Sequence, residues 1–223
     1  MIDYWIVVRD NIDARSRRGA APVPGPVPAG IDVREAAEFK WIEAEVRRMD
    51  ACGPTAVDWS KVSRLSLNIL AEQSKDILVA SWMTYGLFRV EGYEGLAVGF
   101  GVLRSMVEAH WERLFPPLKQ KGARGRALDW LVGRLRPAVA GIAPTAADSL
   151  AVVAAYDALD DLARQLGWKL ESGRLALEGL LRALQSYHEQ ATLELATATQ
   201  RAAEAVRAAE WAGGAVAEHI SSG

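Results

Sequence analysis

From residue 32 to residue 166 the apolar residues return every third or fourth position, and nowhere do they alternate over a stretch long enough for a strand. That periodicity lays an apolar stripe along one side of an α-helix, and such stripes are buried by packing helix on helix. The expected fold is all-α, a multi-helix bundle of antiparallel helical hairpins. Asp32 with Glu35 has the pattern of a capping box ahead of Phe39, Ile42, Val46 and Met49, and Cys52-Gly53-Pro54 closes that helix. The next begins near Asp58-Trp59 and carries Val62, Leu65 and Ile69. Ser74 is expected to cap a third, through Ile77, Ala80, Thr84, Leu87 and Phe88, that stops at Gly92. A fourth spans about 94 to 115 and ends at Pro116-Pro117, which lack the amide hydrogens to continue it. A fifth carries Leu128, Leu131, Val132 and Leu135 and kinks or closes at Pro137; Thr145 with Asp148 opens a sixth through Val152, Leu159 and Leu166, before Gly167.

Two flanks differ from this body, which gives three segments: 1–30, 31–168 and 169–223. The first has a short apolar head, Tyr4 to Val8, then a tether in which Pro22, Pro24, Pro26 and Pro28 favour extended polyproline-like chain. The head either docks on the helical body or is offered to a partner, in which case Tyr4 and Trp5 are the contact residues. The last segment is rich in Ala, Leu, Glu, Gln and Arg, all strong helix formers. Leu177, Leu181, Leu184, His188, Ala191, Leu195, Ala198, Ala202, Ala205, Ala209, Ala212 and Val216 alternate at spacings of four and three, which is a coiled-coil seam. The expectation is a long Ala-rich helical arm of ~65 Å, paired with itself, with another subunit or back on the body. Its candidate oligomerisation residues are Leu177, Leu181, Leu184, Ala191, Leu195 and Ala198.

Composition excludes several function classes. The 26 Lys and Arg against 28 Asp and Glu leave a net charge of -2, without the basic excess of a nucleic-acid binder. No run approaches the ~20 apolar residues of a membrane span. A single cysteine, Cys52, and an N-terminus without a basic start or long apolar run point to a reducing, cytoplasmic compartment.

Catalytic, cofactor and metal motifs are not found. His110, His188 and His219 are too far apart for a helical metal pair, and no Gly-x-Ser-x-Gly elbow occurs. Gly92, Gly95, Gly99 and Gly101 lack the Gly-Lys-Ser/Thr of a phosphate loop; Gly95 and Gly99 share a helix face, which suits close packing. The triplet Ser74-Lys75-Asp76 reads as the start of a helix. The loop holding Lys119, Lys121, Arg124 and Arg126 is either a solvated connection or an electrostatic dock for an acidic partner surface. Trp41, Trp59, Trp82, Trp111, Trp130 and Trp168 fall mostly on apolar stripes, and any that is exposed becomes a candidate hot spot.

One block carries a family likeness. The run from Ser74 to Gly99, SKDILVASWMTYGLFRVEGYEGLAVG, resembles the signature of the ImpA N-terminal domain, which heads the TssA family of type VI secretion proteins. Pro28-Ala29-Gly30-Ile31-Asp32-Val33-Arg34 with Phe39, Asp58-Trp59-Ser60-Lys61-Val62, Trp111-Glu112-Arg113-Leu114-Phe115-Pro116 and Arg126-Ala127-Leu128-Asp129-Trp130-Leu131 are similar to its flanking motifs, in order, so that the likeness covers about residues 22 to 136. Relatives usually show Trp-Asp and a His before the proline, where this chain has Trp111-Glu112 and Phe115. The C-terminal portion that forms rings in some TssA proteins is not recognisable. The resemblance implies a non-enzymatic assembly component that contacts the baseplate, the membrane complex or the tail tube and sheath, and that forms a homo-oligomer. An accessory relative that caps or stops sheath growth is the alternative; an enzyme with an unrecognised site is a further one, for which no residue set qualifies.

Overall fold

The computed structural model describes residues 2–120, 122–167 and 169–221, with side chains placed for 4–120, 122–167, 169–170 and 177–208. Seven α-helices follow one another: α1 (Ile2–Ser16), α2 (Ala37–Cys52), α3 (Trp59–Glu72), α4 (Ile77–His110), α5 (Ala123–Ala140), α6 (Ser149–Leu166) and α7 (Glu171–Ser221). Short 3-10 turns at Pro54–Ala56, Trp111–Arg113 and Ala146–Asp148 join some of them. The described residues contain no strand, so the all-α expectation is correct. None of the described helices is long and apolar enough to cross a membrane.

The centre of the fold is α4, which is a hairpin. At Gly92 the backbone takes φ 61 and ψ -137, a conformation open to glycine, and leaves the helical path. A β-carbon at Gly99 would sit 2.6 Å from the Thr84 side chain and 2.8 Å from its Cα, although in a straight helix those residues would be about 22 Å apart. The chain therefore folds back at Gly92, and arms 77–91 and 93–110 pack with their backbones nearly touching. The two helices read from the sequence on either side of Gly92 are these arms, although the second ends at His110, before a 3-10 turn over Trp111–Arg113, and not at Pro116-Pro117; the close approach expected of Gly95 and Gly99 is made between them. Around the hairpin, α3 packs on α4, α6 covers α4, and α7 lies on α5 and α6. Ile77, Leu96, Leu103, Met106, Leu131, Leu135, Leu159, Leu162 and Leu166 are all fully buried between them.

Helix starts are set by different side chains than the spacing suggested in two places. Asp32 accepts from the amide of Arg34 in a local turn, and α2 starts later, at Ala37, without a side-chain cap. The cap of α4 is Asp76, whose Oδ1 accepts from the amides of Leu78 (2.7 Å) and Val79 (3.2 Å); the Ser74 hydroxyl is buried and unpartnered. Asp58 and the Thr145–Asp148 capping box act as expected. Pro137 neither closes nor ends α5, which runs on to Ala140; the carbonyl four residues back belongs to exposed Gly133, where solvent is available to it.

In each flank the structure takes one of the alternatives the sequence left open, packing on the body, and only the proline segment departs from its expected form. The head is part of α1, a helix whose Trp5, Val8, Ile12 and Ser16 form a buried stripe against α4 and α6. Arg15 clamps Glu91 through two hydrogen bonds, of 2.6 and 2.9 Å, and Asn11 bonds to Glu94. The proline segment is not a free tether. Val23 and Ala29 are buried, the Val23 amide donates to Pro28 at 2.8 Å, and the Lys75 amide donates to Ala29 at 2.8 Å. The proximal part of α7 packs back on the body: Leu177, Leu180, Leu184 and Ala191 are buried, and from 192 to 208 no side chain is.

Candidate functional site

The family-like motifs meet at one junction of three chain segments. Residue 31 donates to Gln73 (3.0 Å), Phe115 donates to Lys75 (2.9 Å) and Ile77 donates to Phe115 (2.8 Å), so the segment 73–77 is held between the proline segment and the end of the α4 hairpin. Lys75 is fully buried, and its Nζ donates to the carbonyls of Arg18 and Leu70, both at 2.8 Å, tying the end of α1 to the end of α3. Asp76, also fully buried, receives Arg34 Nη2 at 2.7 Å while capping α4. Burial pushes its carboxyl up from the usual range, against the pull of Arg34 and the two amides. The triplet Ser74-Lys75-Asp76 is thus structural, as its position at a helix start suggested.

Burial also lowers Lys75, to about 8. Between that value and the ordinary lysine range near 10.5 the unfolded chain holds a proton that the folded chain has released, so stability rises with pH through this window. We expect a gain of about 2 kcal/mol between pH 8 and 10 in urea unfolding, and a flat profile over the same interval for Lys75→Met. Tyr93 opposes the trend at higher pH. Its buried hydroxyl donates to the Ile142 carbonyl and its ionisation is pushed upward, so above about pH 10 the folded chain is the one that keeps a proton and stability falls.

This junction forms one wall of a groove of about 400 Å³. Glu43, Val46, Arg47 and Asp50 share the face of α2 that lines it, Leu78 and Trp82 come from the first turns of α4, and Pro116, Gln120, Ala123, Arg126 and Trp130 complete it from the loop and α5. The rim is charged and paired: Arg47 to Glu43 at 3.0 Å, Arg134 to Asp50 at 2.5 Å and Arg34 to Asp76 at 2.7 Å. The floor is aromatic. Trp82 lies 5.3 Å from Phe39, and half-buried Trp130 stands edge-on to Tyr85 at 5.9 Å. An aromatic floor with a salt-bridged rim resembles a protein-docking surface in composition. Among the described residues no three His, Cys, Asp or Glu side chains converge on a metal-sized site.

The basic loop is divided by the fold. Lys119 and Arg126 are exposed and Lys121 lies outside the described residues, but Arg124 is 3 % exposed and points inward. Its Nε donates to Pro116 at 2.8 Å, Nη1 to Trp111 at 2.7 Å and Nη2 to Leu114, while the guanidinium lies 4.6 Å over the Trp111 ring. Arg124 is therefore a structural staple and not an exposed docking charge, because it is buried and each of its three nitrogens donates to a backbone carbonyl. Tyr4 is 52 % exposed, whereas Trp5 is buried under α1 and is not a partner contact in this fold. Leu177, Leu184 and Ala191 are likewise buried against the chain's own α5 and α6, so they are core residues and not free oligomerisation contacts. Leu181 is half-buried against the same core, and Leu195 and Ala198 are half-exposed beyond it. Trp59, Trp82 and Trp111 are core; Trp41 and Trp130 are partly exposed, and Trp168 lies outside the described residues. Of the groove residues of α2, Val46 was read only as part of the apolar stripe, and Glu43, Arg47 and Asp50, which recur at helical spacing beside it, were missed.

Comparison with known proteins agrees with the motif reading. No curated protein matches the chain significantly. Its fold is similar to a solved structure, the N-terminal domain including the conserved ImpA_N region of the TssA component of the type VI secretion system from Burkholderia cenocepacia. The two share 20 % identity over 79 % of this chain and 94 % of that one, with a TM-score of 0.57. The family model described as ImpA, N-terminal, type VI secretion system matches residues 20–133, just over half of the chain and the stretch that contains the junction and most of the groove. The chain belongs to this ImpA N-terminal family of the type VI secretion system.

Proposed function

We propose that this type VI secretion component is non-enzymatic and acts in the cytoplasm as an assembly protein, capturing baseplate, membrane-complex or tail tube and sheath proteins through the groove between α2 and α5. The observation that carries the reading is the groove itself: a tryptophan floor and a rim of arginines and carboxylates, built on helices fixed by the family-signature junction. Rigid helices position such a surface before binding, so little ordering cost is left to the encounter. Exposed Arg126, which lines it, and exposed Lys119, next in sequence to the lining Gln120, raise the association rate of an acidic partner. Homo-oligomer contacts are assigned to the distal part of α7, from Leu195 and Ala198 outward, where the seam continues past the body.

The test is pairwise binding of purified secretion components to the immobilised chain. Arg47→Glu with Arg126→Glu is expected to weaken capture of one of them about tenfold while leaving the unfolding midpoint within error. Unchanged affinity for every component would remove the groove from the function.

A further inference from the structure

A second groove, of about 360 Å³, shares no residue with the first. It runs between α3 and the end of the first α4 arm and is closed at one end by Arg18, just after α1. Ser60, Ser63, Arg64, Leu67 and Asn68 lie on one face of α3 at helical spacing, and all but Leu67 form its polar wall. Leu67, Leu87 and Val90 form the apolar floor, with Val90 48 % exposed.

The charges here are unbalanced. Among the described residues Glu91 is the only carboxylate lining the groove, and Arg15 holds it from the side at 2.6 and 2.9 Å. The guanidinium groups of Arg18 and Arg64 have no ion-pair or hydrogen-bond partner among the described residues. The Ser63 hydroxyl, on a residue 5 % exposed, has no hydrogen-bond partner either. An uncompensated pair of cations therefore faces an apolar floor in a chain whose overall charge is -2.

We propose that this groove binds an acidic segment of a protein partner, with a carboxylate between Arg18 and Arg64 and a neighbouring aliphatic or aromatic side chain on Leu67, Leu87 and Val90. Two guanidinium forks match carboxylate oxygens, and the concave apolar floor adds a contact that a mobile counterion would not use. Such a surface makes the domain two-sided, since its occupant does not compete for the groove between α2 and α5.

A display library of random 12-residue peptides selected on the intact chain tests this without prior choice of partner. Enriched peptides are expected to carry Asp or Glu beside Leu, Ile or Phe, and to lose about tenfold or more in affinity for Arg18→Glu/Arg64→Glu. The neutral pair Arg18→Gln/Arg64→Gln, checked by its unfolding midpoint, gives the same loss without charge reversal and guards against a folding defect. The Arg47→Glu/Arg126→Glu chain keeps the binding, which separates this proposal from the function assigned to the first groove. Selection with no acidic enrichment, or peptides that bind the Arg18/Arg64 variants as they bind the wild type, overturns it. Capture of phosphatidylglycerol vesicles lost in the same variants, with no peptide selected, replaces the acidic peptide by a membrane surface and overturns it too.

Discussion

Replacing Arg124 by methionine is expected to lower the free energy of unfolding by about 3–5 kcal/mol, an effect out of keeping with its place in a loop-edge cluster of basic residues. The side chain is buried, and among the described residues no carboxylate bonds to it; its charge is met by the carbonyl dipoles of Trp111, Leu114 and Pro116 and by the face of the Trp111 ring. Burial lowers its pKa, with Glu112 and Asp76 pulling in the opposite direction. Methionine would fill the volume of the stem but leave the carbonyls of Leu114 and Pro116 without their donors, each costing about 1–3 kcal/mol unless water reaches it, and that of Trp111 with only the long contact from the Leu114 amide, at 3.5 Å. Lysine, with a single ammonium in place of the fork, should recover only part of the loss. Two residues further on, Arg126→Met should stay within about 1 kcal/mol of wild type, because that side chain is exposed. Urea unfolding of the three variants checks the contrast. Equal stability of Arg124→Met and Arg126→Met would show that the turn after α4 is held by other contacts.

That contrast also indicates what could be read from the sequence and what could not. Periodicity located the helices from α2 to α6, and Gly92, Asp58 and the Thr145–Asp148 box marked real boundaries, because these signals are local. Asp32 and Ser74 were equally good local candidates and were not used; the deciding factor was tertiary. Ser74 is drawn into pairing with Gly30, which leaves Asp76 in the position from which a carboxylate can reach two amides. The stripe of Trp5, Val8, Ile12 and Ser16 was present in the sequence but reads as helical only once its partner surface on α4 is known. Prolines between 22 and 28 give extended chain in isolation, yet here buried Val23 and Ala29 pin that chain to the junction. The candidate groove was the least legible feature. Its tryptophans were visible, but the pairing of the Glu43–Asp50 face with the loop before α5 is a long-range relation that no window of sequence contains.

Truncation at two points in α7 should give opposite results, and the difference follows from where the helix leaves the body. A chain ending at residue 200 loses described side chains that are exposed or half-exposed, and is expected to unfold within about 1 kcal/mol of the full chain. A chain ending at 172 also loses Leu177, Leu180, Leu184 and Ala191, whose burial against α5 and α6 removes apolar surface from water. At about 1.5–3 kcal/mol for each of three buried leucines and less for the alanine, roughly 5–10 kcal/mol is at stake. That is comparable to the whole stability of an ordinary domain, about 5–15 kcal/mol. The shorter chain should therefore lose its cooperative transition and expose the apolar faces of α5 and α6 to dye binding. The seam of alternating four and three spacing thus has two surroundings along one helix: in its proximal part it packs on the chain's own core, and from Leu195 to the last described side chain, at 208, it is exposed or half-exposed. Light scattering then has to be read on the chain ending at 200. A lower assembly mass than that of the full chain, with the fold intact, supports pairing through the distal arm, whereas an unchanged mass removes that role. A cooperative transition in the chain ending at 172 would mean that α7 is not part of the domain core.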